Sequence, residues 1–164
     1  MAYNTQELID SKVPTLSLTG GCETLKTKFK NEKEFTINLL PKLDNIIKEM
    51  YNLDIDTVQL EKYFRFNDVG YYNIKADIYI KTKQGRDILI ECKNPIHDKS
   101  ELSNVIGQLV SYQFLLSQTP EKPIIILATS VMKFWLFEII KSYNLKFDII
   151  INNENSAAFW VNEF

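Results

Sequence analysis

The chain has 164 residues, 45% of them hydrophobic and 12% aromatic, with a formal net charge of -2. That is enough apolar material for one buried core, and with 5 Gly, 5 Pro and no repeat it argues against a disordered or solenoid chain. The slight acidity counts against a protein that coats nucleic acid by charge alone, because neutralising phosphates needs clustered Lys and Arg.

Residues 1–21 mix polar residues with Pro14 and a Thr19-Gly20-Gly21 turn, and lack the basic start and apolar run of a signal peptide. They read as a poorly packed N-terminal extension of a single domain spanning 1–164. Even Phe134 to Ile140 is broken by Glu138, so nothing approaches the roughly 20 apolar residues needed to cross a bilayer. Cys22 and Cys92 are too few and too far apart for a disulfide framework or a zinc site. A reducing, cytoplasmic setting without membrane contact is expected. Lys26, Lys28, Lys30 and Lys33 crowd ahead of the first helix. A solvated charged face is the plainer reading of that run, and a rim along a nucleic-acid backbone the other.

From Glu34 to Tyr51, Phe35, Leu39, Leu43, Ile46, Ile47 and Met50 recur at helical spacing, which predicts an amphipathic helix that Pro41 kinks or breaks. Val58 to Phe66, Ile74 to Ile80 and Asp87 to Lys93 have strand character, and Asn67-Asp68-Val69-Gly70 turns the first two into a meander. Asn94-Pro95 ends the third strand. Ser100 and Glu101 open a helix that carries Leu102, Val105, Ile106, Leu109, Tyr112 and Leu116 to the core and stops at Thr119-Pro120. Ile124 to Ala128, an unbroken apolar run, suits a strand covered on both faces. Thr129 or Ser130 is placed to cap a helix with Val131, Phe134, Trp135, Ile139 and Ile140, and a strand at Phe147 to Ile151 follows. The tail from Ala157 to Phe164 carries no assignment. The order α-β-β-β-α-β-α-β predicts an α/β fold with a central mixed β-sheet flanked by α-helices.

The second and third strands hold the chemistry. If Lys83-Gln84-Gly85 is a three-residue hairpin loop with Gly85 left-handed, Thr82 faces Arg86. Counting back places Lys81 opposite Asp87, Tyr79 opposite Leu89, Asp77 opposite Glu91 and Lys75 opposite Lys93. Opposed side chains share a face with beta carbons about 4.5 to 5.5 Å apart, so Asp77 and Glu91 converge. Two like charges so placed need a cation or a shared proton. Magnesium suits them, because it takes one or two carboxylates, keeps waters and accepts phosphate oxygens. Lys93 projects beside Glu91 on the same face, placed to position a water or offset developing charge in phosphodiester hydrolysis. The plain alternative is two surface acids bridged by Lys75 and Lys93.

Ala76-Asp77 on one strand, then Glu91-Cys92-Lys93-Asn94-Pro95 ending the next, resembles the PD-(D/E)XK nuclease superfamily. Gln108 and Tyr112, four apart on the following helix, resemble the Gln-x-x-x-Tyr motif of some of its branches. Within it the chain looks most like the nuclease domain of type I restriction enzyme subunits, a likeness that covers Glu34 to about Ile151, with recognisable motifs from Asp77 to Tyr112. The resemblance implies a restriction-endonuclease-like core and a magnesium-dependent deoxyribonuclease, with manganese as a substitute. It implies metal ligation by Asp77, Glu91 and the backbone carbonyl of Cys92, catalysis by Lys93, and site support or substrate contact by Gln108 and Tyr112. A glutamate on the first helix often completes such sites; Glu34 is the candidate and Glu32 the less favoured neighbour. Ala76 stands where the motif name has proline, and no phosphate-binding motor motif appears, so any translocase or specificity element belongs to a separate subunit.

The expected function is a DNA endonuclease in restriction, mobile-element, repair or recombination work, paired into a dimer or higher oligomer where it reads a duplex sequence. The alternative is a module that keeps the fold and binds nucleic acid or assembles without cutting. Other tempting residues take plainer readings. His97 is an ordinary loop residue, Cys92 a buried inert thiol, Phe134, Trp135 and Phe137 core, and Glu61, Lys62 and Arg65 solvent-facing.

Overall fold

The structure, a computed structural model, describes residues 28–66, 72–96, 98–116, 122–132 and 134–162. The expected N-terminal extension, Cys22, Lys26, the turn at residues 67–70, His97 and the Thr119-Pro120 stop lie outside them.

The first predicted helix is two. α1 (Glu32–Leu39) and α2 (Leu43–Tyr51) are joined by a 3-10 turn over Leu40–Lys42. Pro41 cannot donate to an α-helical ladder, and it sits at the start of the tighter turn, where that donor is dispensable. The apolar stripe survives the break: Phe35, Leu39, Leu43, Ile46, Ile47 and Met50 are all buried. α2 stops at Asn52, whose φ of 55° is the left-handed conformation that asparagine tolerates.

Six strands form one sheet in sequence order: β1 (Ile55–Phe66), β2 (Tyr72–Thr82), β3 (Asp87–Lys93), β4 (Ile124–Thr129), β5 (Asp148–Asn152) and β6 (Ala157–Trp160). β1, β2 and β3 run antiparallel; β3, β4 and β5 run parallel through the crossover helices α3 (Lys99–Leu116) and α4 (Phe134–Ser142); β6 returns antiparallel to β5. This is the mixed sheet flanked by helices that the pattern predicts, with one strand added. β6 carries two alanines in four residues, too weak a local signal, and exists because pairing with β5 buries Ala158, Phe159 and Trp160.

α4 also departs from expectation. Thr129 ends β4 instead of capping a helix, and the next residues extend the sheet: the Ile96 amide donates to the Val131 carbonyl at 2.9 Å, and Met132 bridges Ile96 in parallel. Backbone committed to that ladder cannot begin a helical turn, so α4 starts at Phe134.

The core lies in two layers. α1 and α2 cover one face of the sheet, packing Phe35, Leu39, Leu43 and Ile47 on Ile78, Ile80, Ile88, Ile90 and Ile126. α3 and α4 cover the other, packing Leu102, Val105, Leu109, Phe137 and Ile140 on Tyr79, Leu89, Ile125, Leu127 and Ile149. Every residue of β4 is buried, as expected of a strand covered on both sides. Lys42 bolts the 3-10 turn to the β5–β6 end: Nζ donates to Asn38 Oδ1, Asn152 Oδ1 and the Asn153 carbonyl, each at 2.7 Å.

Candidate active site

The β2–β3 hairpin sets the register of the site. Gly85 takes a φ of 80°, its amide donates to the Thr82 carbonyl at 3.0 Å, and Lys81 pairs with Asp87 and Tyr79 with Leu89, as the three-residue loop requires. Regular pairing ends at Ile78 and Ile90. The next step outward is Asp77 with Glu91. There the ladder gives way to a side chain: the Cys92 amide donates to Asp77 Oδ2 at 2.8 Å. Asp77 thereby takes the place of a main-chain acceptor between the two strands.

Glu91 is 6% exposed. Its Oε2 lies 2.9 Å from the Tyr112 hydroxyl, which also donates to the Lys75 carbonyl at 2.9 Å. Tyr112 has one proton for two acceptors. When that proton goes to the Lys75 carbonyl, the contact with Glu91 requires a proton on the carboxyl; when it goes to Glu91, the carboxylate is ionised. Burial, and after it the charge of Asp77, push the Glu91 carboxyl up to about 7, with Tyr112 and Lys93 pulling the other way. Both forms are therefore accessible near neutrality. Burial also raises Asp77, against the opposing pull of the Cys92 amide.

The lysines nearest the pair are bridged to other acids. Lys75 Nζ lies 3.2 Å from Glu61 Oε1, and Lys93 Nζ lies 3.2 Å from Glu32 Oε1. Among the described residues no salt bridge reaches Asp77 or Glu91, so the arrangement is not the surface charge lattice of the plain alternative.

Of the two candidate helix carboxylates, Glu32, the less favoured, is the one that reaches Lys93, and Glu34 is held elsewhere. Glu34 belongs to a capping-box arrangement at the start of α1, shifted by one residue: its amide donates to Oδ1 of the cap residue Asn31 at 2.9 Å, and its Oε2 accepts the amide of Lys30, the residue before the cap, at 2.8 Å. Glu32, one residue into the helix, bridges to Lys93, and its charge raises both Asp77 and Glu91. The Asn-x-x-Glu spacing is a capping signature visible in the sequence, and reading it so would have released Glu34 from the site. Of the α3 pair, Tyr112 is buried against Glu91, while Gln108 is exposed one turn earlier. The Cys92 side chain is buried on the opposite face among Ile88, Ile90 and Ala128, and burial pushes its thiol well above its ordinary range. It is the inert thiol expected. Glu61, expected only as a solvent-facing residue, has an exposed side chain but a left-handed backbone, φ 51°.

Among the described residues, no group of three or more Asp, Glu, His and Cys side chains is gathered for a metal. Two carboxylates without sulfur or imidazole have the chemistry of a hard, largely hydrated cation such as magnesium and not of a closed structural zinc centre. The two desolvated acids fit such an ion, because burial raises both, the charge of Asp77 raises Glu91 further, and a divalent cation beside them favours the ionised forms. No helix among the described residues is long and apolar enough to cross a membrane.

No protein-family model matches the chain, and no curated protein matches it. Among solved structures it is similar to a repair endonuclease from Pyrococcus abyssi, with a TM-score of 0.39 and 16% identity over 75% of this chain. The match covers 48% of the endonuclease, so the chain spans about half the length of that protein.

Proposed function

We propose that the chain is a magnesium-dependent deoxyribonuclease, an endonuclease of the PD-(D/E)XK kind. The observation that carries this reading is the corner where Asp77 and buried Glu91 meet without a lysine partner, with Lys93 two residues along the same strand. In this reading Asp77, Glu91 and the carbonyl of Cys92 hold the ion, and manganese substitutes for it. When bound, magnesium supplies an acidified water and positive charge for the phosphate. The chain's own groups do the rest. Tyr112 orients Glu91 through its hydroxyl, and the Cys92 amide holds Asp77 in line with the gap between the strands. Lys93, held by Glu32, directs its ammonium at the attacking water or at the phosphate oxygen that gains charge. In this reading Gln108, exposed on α3 one turn from Tyr112, contacts the nucleic acid.

DNA is the proposed substrate. A single small domain reads a defined duplex sequence most readily as a symmetric dimer or beside a separate specificity or motor subunit. The deciding experiment offers linear, circular, branched and single-stranded DNA side by side, with magnesium or manganese. Metal-dependent cleavage of at least one form is expected. Intact substrates in both metals, with DNA still bound, would overturn the nuclease reading in favour of a non-cleaving binding module.

A further inference from the structure

The alternation of β2 reverses at Asp77. Ile78 and Ile80 pack in the layer under α1 and α2, whereas Ile74 and Ala76, of the same parity, pack in the layer under α3 and α4. A regular strand keeps residues two apart on one face, so the reversal must be built by a local change of backbone. β1 reverses with it. Val58 and Leu60 pair with Ile80 and Ile78, while beyond the reversal Lys62 lies 5.8 Å from the centre of the Tyr79 ring and Phe64 packs edge-on against that ring. Tyr79 belongs to the α3 layer. The recorded pairs step from Leu60 with Ile78 to Lys62 with Ala76, and the residues skipped are Glu61 and Asp77.

Glu61 holds the change: its φ of 51° lies in the left-handed region, in the middle of a 12-residue strand. Its carboxylate bridges to Lys75, two residues before Asp77, and the Lys75 carbonyl is the acceptor of the Tyr112 hydroxyl that also meets Glu91. The distortion thus adjoins both the turn of β2 at Asp77 and the strand segment that Tyr112 grips. Irregularities of this kind re-aim a side chain beside a functional site.

We propose that Glu61 is a positioning residue whose left-handed backbone reverses β1 and β2 and so delivers the Asp77 carboxylate to the Cys92 amide. Its importance for cleavage rests on the nuclease reading; its effect on Asp77 does not. The test compares Glu61→Gly, which takes a positive φ freely, with Glu61→Val, whose branched β-carbon opposes it. The readouts are hydrogen exchange at the Cys92 amide in the metal-free protein, and kcat and KM for DNA cleavage. Glu61→Gly is expected to keep Cys92 protection within about threefold of wild type and to melt no lower. Glu61→Val is expected to speed exchange at Cys92 at least tenfold relative to the Ile90 amide, and to lower kcat more than it raises KM. Cys92 exchange unchanged in Glu61→Val, or accelerated equally in Glu61→Gly, overturns the proposal. If Glu61→Val does not fold, Glu61→Asn and Glu61→Thr replace the pair, with asparagine tolerating the left-handed region and threonine resisting it. A wild-type protein that cuts no DNA removes the nuclease reading and leaves the exchange comparison intact.

Discussion

At the scale of single residues, Glu91 joins chemistry to stability. Its carboxyl is raised from 4.5 to about 7 in the metal-free fold. Between those values the unfolded chain gives up its proton while the folded protein keeps it, so this residue's contribution is full below pH 4.5 and is lost as pH rises through 7. The loss is on the order of 3 kcal/mol. Thermal melting of metal-free protein from pH 4.5 to 8 is expected to show that decline, and Glu91→Gln to flatten it, melting at pH 8 no lower than wild type while cutting no DNA. A large destabilisation by Glu91→Gln at pH 8 would mark the carboxylate as structural. Lys93 separates differently, because it faces the acids without ligating anything. Lys93→Ala is expected to bind magnesium with unchanged affinity by calorimetry and to lose about a hundredfold or more in kcat. Retained turnover would remove Lys93 from the mechanism.

At the scale of elements, α1 performs two tasks with neighbouring glutamates. Asn31 and Glu34 close the capping box, and Glu32 reaches Lys93. Glutamine serves a capping box as well as glutamate does, so Glu34→Gln is expected to leave melting and cleavage near wild type. Asn31→Ala is expected to cost about 1 kcal/mol in denaturant unfolding. Glu32→Gln keeps the helix and loosens Lys93, and it is expected to lower kcat with little change in melting temperature. Equal effects of Glu32→Gln and Glu34→Gln on cleavage would cancel the distinction between them. The β2–β3 hairpin was legible from its loop out to Ile78 and Ile90 because one glycine in a three-residue loop sets the register, and the pairs Lys81 with Asp87 and Tyr79 with Leu89 follow by counting; the count of Lys75 against Lys93 runs past the end of regular pairing.

At the scale of the whole molecule, the sheet sandwiched between two helical layers holds the acids against their repulsion, so relieving that repulsion stabilises everything packed around them. A magnesium ion bound only by the folded state adds about 2.7 kcal/mol when its concentration is a hundred times its dissociation constant. For a chain of this size that amounts to a rise in melting temperature of roughly 5 to 10 °C. Asp77→Asn is expected to abolish the rise, and calorimetry on the same variant to show no magnesium binding. An equal rise in Asp77→Asn would place the ion elsewhere.

Local pattern alone determined the mixed sheet with flanking helices, the strands from β1 to β5 and the hairpin register from the loop out to Ile78 and Ile90, because periodicity, a glycine turn and apolar runs are short-range signals. Three things waited for the tertiary structure. β6 draws its stability from β5 and not from its own alanines, and α4 starts late because Val131 and Met132 are held by Ile96. Which glutamate of α1 approaches Lys93 depends on how the helix is rolled on the sheet, a matter of packing across layers. The reversal at Glu61 and Asp77 is invisible to any alternation rule, since it is a departure from alternation that the packing on both faces of the sheet sustains.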